Sequence, residues 1–264
     1  LDAAGIPYSI GHTGEYLRDA DLVIYSAAIK PDNPERLLAK ELGIPELERS
    51  AALGEISERF PSVVAIAGCH GKTTITSMLA RINEAAHKDA TIHVGGFVDF
   101  LQGGVRVGHD GTFITEACEY VESFLTLAPT VALINNIDDD HLDYYKDIDH
   151  IVLAFRKFLD HLPENGLFIA CTDDPRVAAL AAESKHTVKS YGLHSGDYRA
   201  ENVRFDENGF PSFTITKNGD AVGDVSLTVP GLHNVLNALG AYVVAETFGI
   251  RFAAYAEAMH AFSN

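Results

Sequence analysis

The chain has 264 residues, a formal net charge of −17 and an ordinary mixture of apolar and charged side chains. That length allows one large domain or two smaller ones, and apolar runs such as 63–67 and 241–245 are far too short to span a bilayer. The charge argues against non-specific binding to nucleic acid or to acidic membranes, although a local lysine, a helix N-terminus or a divalent cation can still reverse the sign within a cleft.

Leu1 opens the chain without an initiator Met and no secretory signal precedes it, so we expect a segment cut from a longer protein. In chain order, 6–10 and 21–26 read as strands, 34–42 as a helix and 44–47 as a connection, followed by a helix near 50–60. Residues 1–55 thus look like the second half of a Rossmann-like nucleotide-binding domain, and 56–264 like a separate larger one. From Pro61 a βα alternation sets in. Strands fit 63–67, 112–116, 130–135, 167–171 and 187–191; helices fit 72–86, 119–126, 147–161 and 175–182. Such alternation predicts an α/β fold with a mostly parallel sheet flanked by helices. Residues 198–230 change to short, turn-punctuated alternating segments, read as a small appended antiparallel sheet, and two helices end the chain. Cys69, Cys118 and Cys171 are odd in number and lack CxxC spacing, which suits a reducing, cytoplasmic compartment.

Four clusters carry chemistry. In 63–74 an apolar strand feeds Gly68, Cys69, His70, Gly71, Lys72, Thr73 and Thr74 and then a helical pattern, the layout of a phosphate-binding loop. The common GxxxxGK[ST] spacing is not met, because Ile66 stands where a glycine is required. Lys72 is placed for the β- and γ-phosphates and the Thr73 hydroxyl for Mg²⁺. Glu116 ends the strand at 112–116, where open α/β sheets bind ligands, and can join Thr73 on a hard cation. Glu119 and Glu122 read as a solvated helix face. In 131–145 a buried strand ends in Asn135 and Asn136 and an acidic loop centred on His141, a candidate ligand for a second cation; most of its aspartates read as surface charge. In 229–242, His233 and Asn234 open a helix and Asn237 follows one turn on, suited to an adenine edge or a phosphate. An N-cap with ordinary polar helix residues is the alternative there.

Taken in order, AGCHGKTT, EACEYVES, NIDDDHLDYY, YGLHSGDYRAENV and VPGLHNVLNAL resemble the Mur ligases, ATP-dependent amide-forming enzymes of peptidoglycan synthesis, whose phosphate loop has this shortened form. The wording comes nearest the branch that joins L-alanine to UDP-N-acetylmuramate. The resemblance implies ATP and Mg²⁺, transfer of the γ-phosphoryl to the substrate carboxylate, and attack of the amine on the acyl phosphate. It implies Lys72 on the transferring phosphoryl, Thr73 and Glu116 on one Mg²⁺, and His141 on a second. Asn136, His233, Asn234 and Asn237 would line the ATP side, with His12 and Ser26 near the uridine nucleotide. Cys118 and Val121 stand where the family usually has acids, and Leu232 where it usually has a basic residue. Lys157 is not assigned the carbamylated-lysine role of some related ligases. The glycine-rich start of the nucleotide domain and a third domain are expected outside this chain. A ligase attaching a tripeptide to the same sugar nucleotide, a non-catalytic ATP-binding module and an unrelated P-loop ATPase stay open; the last wants a Walker-B aspartate where 113–116 and 133–136 offer FITE and LINN.

Overall fold

In the computed structural model, which describes residue 2 and residues 5–263, the chain divides into two units, Leu1–Ile56 and Ser57–Asn264. In the first, β1 (Val23–Tyr25) pairs in parallel with β2 (Glu46–Glu48), and α1 (Pro34–Leu42) connects them. Local chemistry sets the limits of α1. Asn33 accepts from the Glu35 N–H, Pro34 takes the first helical position, and Gly43 closes the helix at φ 71°. Two expectations fail here. Residues 6–10 form no strand, because Pro7 withdraws a donor and Gly5 and Gly11 turn the chain on either side with positive φ. The connection at 44–47 in turn contributes to β2. Helix α2 (Arg49–Ser57) follows.

The second unit is built on one ten-stranded sheet. Its elements are β3 (Ser62–Ala67), α3 (Lys72–Ala85), β4 (Thr91–Val98), β5 (Gly103–Arg106), β6 (Thr112–Glu116), β7 (Val131–Ile134), α4 (Ile148–Asp160), β8 (Leu167–Cys171), α5 (Pro175–Glu183), β9 (Thr187–Gly192), β10 (Tyr198–Phe205), β11 (Pro211–Lys217), β12 (Asp220–Ser226), α6 (Leu232–Thr247) and α7 (Phe252–His260). The sheet order is β12-β11-β10-β9-β8-β7-β3-β6-β4-β5. All ladders from β10 to β4 are parallel, and the antiparallel pairs lie at the two edges. This is the mostly parallel α/β fold that the alternation predicts. The antiparallel strands continue the same sheet, since β10 pairs with β9 at Tyr198–Tyr191 and Arg199–Gly192. Strands β4 and β5 were not legible in the sequence.

Burial explains the central position of β3, whose residues Val63–Ala67 are all buried. Alternation sends Val64 and Ile66 into one cluster with Ile75, Met78 and Ile82 of α3 and the apolar residues of α6 and α7. The helix expected over 119–126 is instead a 3-10 turn, Tyr120–Thr126, in which Val121 (φ 49°) and Glu122 (φ 55°) adopt left-handed backbone. Tertiary contacts of Glu119, described below, override the helical pattern. No helix of the described residues is long and apolar enough to cross a membrane.

Candidate phosphate and cation site

The turn between β3 and α3 lies where the sheet ends. Gly68 (φ 133°) and Gly71 (φ 90°) are required by backbone and by space: a Cβ on Gly71 would lie 2.4 Å from Asn237 Oδ1 and 2.7 Å from Asn135 Nδ2. The residues after β7 hold this turn. The His70 N–H donates to Asn136 Oδ1 (2.8 Å), while Asn135 Nδ2 and Asn136 Nδ2 donate to the His70 carbonyl (3.1 and 3.0 Å). Cys69 Sγ accepts from the Asp138 N–H at 3.1 Å. Burial pushes the Cys69 thiol up to about 11, so it sits there protonated. Thr74 follows in the first turn of α3.

Two carboxylates converge on the turn from β6 and the segment after it. Glu116 pairs in register with Ile66. Its Oε2 accepts from Thr73 Oγ1 at 3.1 Å and its Oε1 from the Gly95 N–H at 2.6 Å, which fixes both oxygens. Lys72 Nζ donates to the carbonyls of Gly68 (2.6 Å) and Cys69 (3.2 Å) and to both oxygens of Glu119 (3.0 and 2.9 Å). Glu119 is therefore not part of a solvated face. Its side chain is 1% exposed, because Lys72, 47 positions earlier, draws it inward. Glu122 does stay near the surface, paired with Lys157 at 2.8 Å. His141, itself at φ 53°, brings Nε2 to 3.6 Å from Glu119 Oε1, and its ring packs on Tyr120 with centroids 4.7 Å apart. Donor atoms of Glu119, Asp140 and His141 lie within 4.8 Å of one another.

Helix α6 supports the turn from behind. Asn135 Nδ2 also donates to Asn237 Oδ1 (3.0 Å), Asn237 Nδ2 to Asn234 Oδ1 (3.1 Å), and Asn234 Nδ2 to the Pro230 carbonyl (2.8 Å). The Tyr191 hydroxyl donates to Asn135 Oδ1 at 2.7 Å. Asn234 and Asn237 are buried in this network, while His233 is exposed at the helix start. Gly68 to Thr73, Glu116, Asn136, His141 and Asn237 are thus brought into one neighbourhood. His12 and Ser26 belong to the first unit. There His12 Nδ1 lies 3.3 Å from Glu35 Oε2, and Ser26 Oγ accepts from the Ala28 N–H at 3.4 Å. The sequence reading missed Gly95, Glu119, Asp140, Asn135 and Tyr191 as site residues. Asn135 alone carried a local signal, as a polar residue ending a buried strand.

The donor set suits Mg²⁺. Thr73 and Glu116 offer a hydroxyl and a carboxylate 3.1 Å apart at the mouth of the turn, both hard oxygens. A central parallel strand delivering a glycine turn and a lysine onto a helix N-terminus, with that oxygen pair beside it, is the layout of a phosphate-binding loop in an α/β protein. The chain belongs to the Mur ligase family: residues 66–245 match the Mur ligase middle domain, and residues 1–61 the domain described as Mur ligase family, catalytic domain.

It is 46% identical over 251 residues to the UDP-N-acetylmuramate–L-alanine ligase of Acetivibrio thermocellus, covering 94% of this chain and 54% of that protein. Against the Clostridium perfringens protein of the same name it is 44% identical over 250 residues, covering 95% and 55%. The chain spans about half the length of the curated relatives it matches. Among solved structures it resembles UDP-N-acetylmuramate-alanine ligase MurC of Thermotoga maritima, with a TM-score of 0.86 and 28% identity over 99% of this chain and 59% of that one. It also resembles the UDP-N-acetylmuramate:L-alanyl-gamma-D-glutamyl-meso-diaminopimelate ligase of Neisseria meningitides, with a TM-score of 0.87 and 26% identity over 100% and 86%.

Proposed function

We propose that this chain is the nucleotide-handling part of an ATP-dependent ligase that joins L-alanine to UDP-N-acetylmuramate in peptidoglycan synthesis. In this reading residues 1–55 are the second half of a UDP-binding domain carrying His12 and Ser26, and 56–264 are the central ATP-binding domain. The observation that carries it is the convergence of Lys72, Thr73 and Glu116 on the Gly68–Gly71 turn. The identity to the L-alanine ligases supports the choice of substrates.

The N–H groups at the start of α3 receive the β- and γ-phosphates, and Lys72 offsets the charge on the transferring group. Thr73 and Glu116 would hold Mg²⁺, with His141 serving a second ion; a metal bound there would supply positive charge to the phosphate oxygens. Asn135 and Asn136 keep the turn in shape. The substrate carboxylate oxygen bonds to the γ-phosphorus as the bond to the β-bridging oxygen breaks, giving ADP and an acyl phosphate. The L-alanine nitrogen then attacks the acyl carbon, loses a proton, and phosphate leaves. Positioning and charge neutralisation are what the chain contributes. Nucleotide substrates and cysteines that are free of disulfide bonds both suit the cytoplasm.

The test is phosphate release from ATP by the full-length protein. It should require both UDP-N-acetylmuramate and L-alanine and fall on the order of 100-fold or more in Glu116→Ala. The likeness to the Neisseria enzyme favours a second reading, a ligase that attaches a tripeptide to the same nucleotide. Turnover with L-alanyl-γ-D-glutamyl-meso-diaminopimelate but not with L-alanine would select it.

A further inference from the structure

Lys72 has three N–H bonds, and each has a partner. One meets the Gly68 carbonyl, one the Cys69 carbonyl, and the third meets Glu119. Both carbonyls belong to the turn that carries the lysine and move with it. The hydrogen that can be given to a phosphate is therefore the one now on Glu119. That carboxylate is no loose surface group. Its side chain is 1% exposed, its main-chain carbonyl accepts from the Tyr145 hydroxyl at 2.5 Å, and the left-handed pair Val121 and Glu122 follows closely. Non-glycine backbone of that kind persists only where its surroundings enforce it.

A buried carboxylate stripped of its ammonium partner is strongly disfavoured, the more so with phosphate charge arriving nearby. The other groups facing Glu119 are His141, with Nε2 at 3.6 Å, and Asp140. Two carboxylates and an imidazole within 4.8 Å can take a divalent cation in place of the lysine.

We propose that Glu119 is the resting partner of Lys72 and that nucleotide binds by exchange: phosphate takes the lysine, and a divalent cation takes its place on Glu119 beside Asp140 and His141. The inference rests on the nucleotide reading above and adds a coupling to it. Through Glu119, nucleotide and cation each raise the other's affinity by the same factor. Glu119 acts through Lys72 and is a positioning residue.

Calorimetry on the full chain with a non-hydrolysable ATP analogue, in EDTA and in excess Mg²⁺, tests this against Glu119→Gln, which keeps the shape and removes the charge. In EDTA the variant is expected to bind the analogue on the order of tenfold more tightly than the wild type, and its gain on adding Mg²⁺ to be smaller by a similar factor. Weaker binding by Glu119→Gln in EDTA would show that Glu119 merely orients Lys72, and an equal Mg²⁺ gain would show no exchange; either overturns the proposal. A second arm needs no nucleotide. Lys72→Met frees Glu119 and should raise Mn²⁺ affinity, read by electron paramagnetic resonance, on the order of tenfold. Unchanged Mn²⁺ affinity would also overturn the proposal. If the exchange fails, analogue binding by the wild type survives. If the wild type binds no analogue in either condition, the nucleotide reading itself falls, and the exchange with it.

Discussion

Gly71 shows how little freedom the turn has. A methyl group there would press on Asn237 Oδ1 and Asn135 Nδ2, atoms already bonded to each other at 3.0 Å, from a backbone at φ 90°. Neither amide can retreat, because Asn135 is held by His70 and Tyr191 and Asn237 by Asn234. Gly71→Ala should therefore cost about 2–4 kcal/mol, the sum of overpacking and left-handed strain. Urea denaturation should show the lower midpoint and calorimetry a loss of nucleotide binding; a variant with wild-type values in both would contradict the account. The same residues show why this part of the site was legible in sequence. Gly68, Gly71, Lys72 and Thr73 work through a main-chain turn and a helix start, and Glu116 through a strand end, all local in the chain. Glu119 was misread because its burial is decided by Lys72, far away in sequence. Asn234 and Asn237 looked like ligand-facing amides, yet both are committed to a network that only the folded chain assembles.

At the scale of elements, caps do more than end helices. Asp174 Oδ1 accepts from the N–H groups of Arg176 and Val177 at the start of α5, while its Oδ2 accepts from the Ile137 N–H after β7. Arg176 Nη1 returns a bond to the Ile137 carbonyl at 3.1 Å. One carboxylate thus ties a helix to the segment that leads on to Asp140 and His141. Asp174→Ala should lower stability by about 1–2 kcal/mol for the cap, with a further loss from the buried Ile137 N–H. Asp174→Asn should recover most of it, since the amide oxygen can still accept. Thermal melting of the two variants checks this, and equal melting temperatures would argue against the cap. Capped helices were among the elements that sequence placed well: α1 and α5 carry Asn33–Pro34 and Asp174–Pro175 at their starts. Strands β4 and β5 escaped notice because Gly95, Gly96, Gly103 and Gly104 interrupt the alternation that marks a strand. Residues 6–10 show the reverse error, a strand-like pattern that pairs with no strand.

For the larger unit as a whole, protonation sets the upper limit of stability. Burial raises the thiols of Cys69 to about 11 and Cys171 to about 12, and the hydroxyl of Tyr198 to about 12. Tyr191 and Tyr255, wholly buried, are pushed well above the usual tyrosine value. All are acids that are neutral when protonated, and all are held protonated by the fold. The unfolded chain gives up these protons first, from about pH 9 for cysteine and 10 for tyrosine. Each contribution is therefore complete below the unfolded value and declines as pH rises toward the folded one. The formal net charge of −17 acts in the same direction, because further deprotonation adds to self-repulsion. The two effects separate by salt. Repulsion between surface charges is screened when the Debye length shrinks to about 3 Å near 1 M salt, whereas the linkage to buried groups is not. Calorimetric melting from pH 7 to 11 should show a falling melting temperature above about pH 9. Most of that slope should survive at high salt. A slope that salt abolishes would assign the alkaline limit to surface charge alone and leave the buried thiols and tyrosines without a role in it.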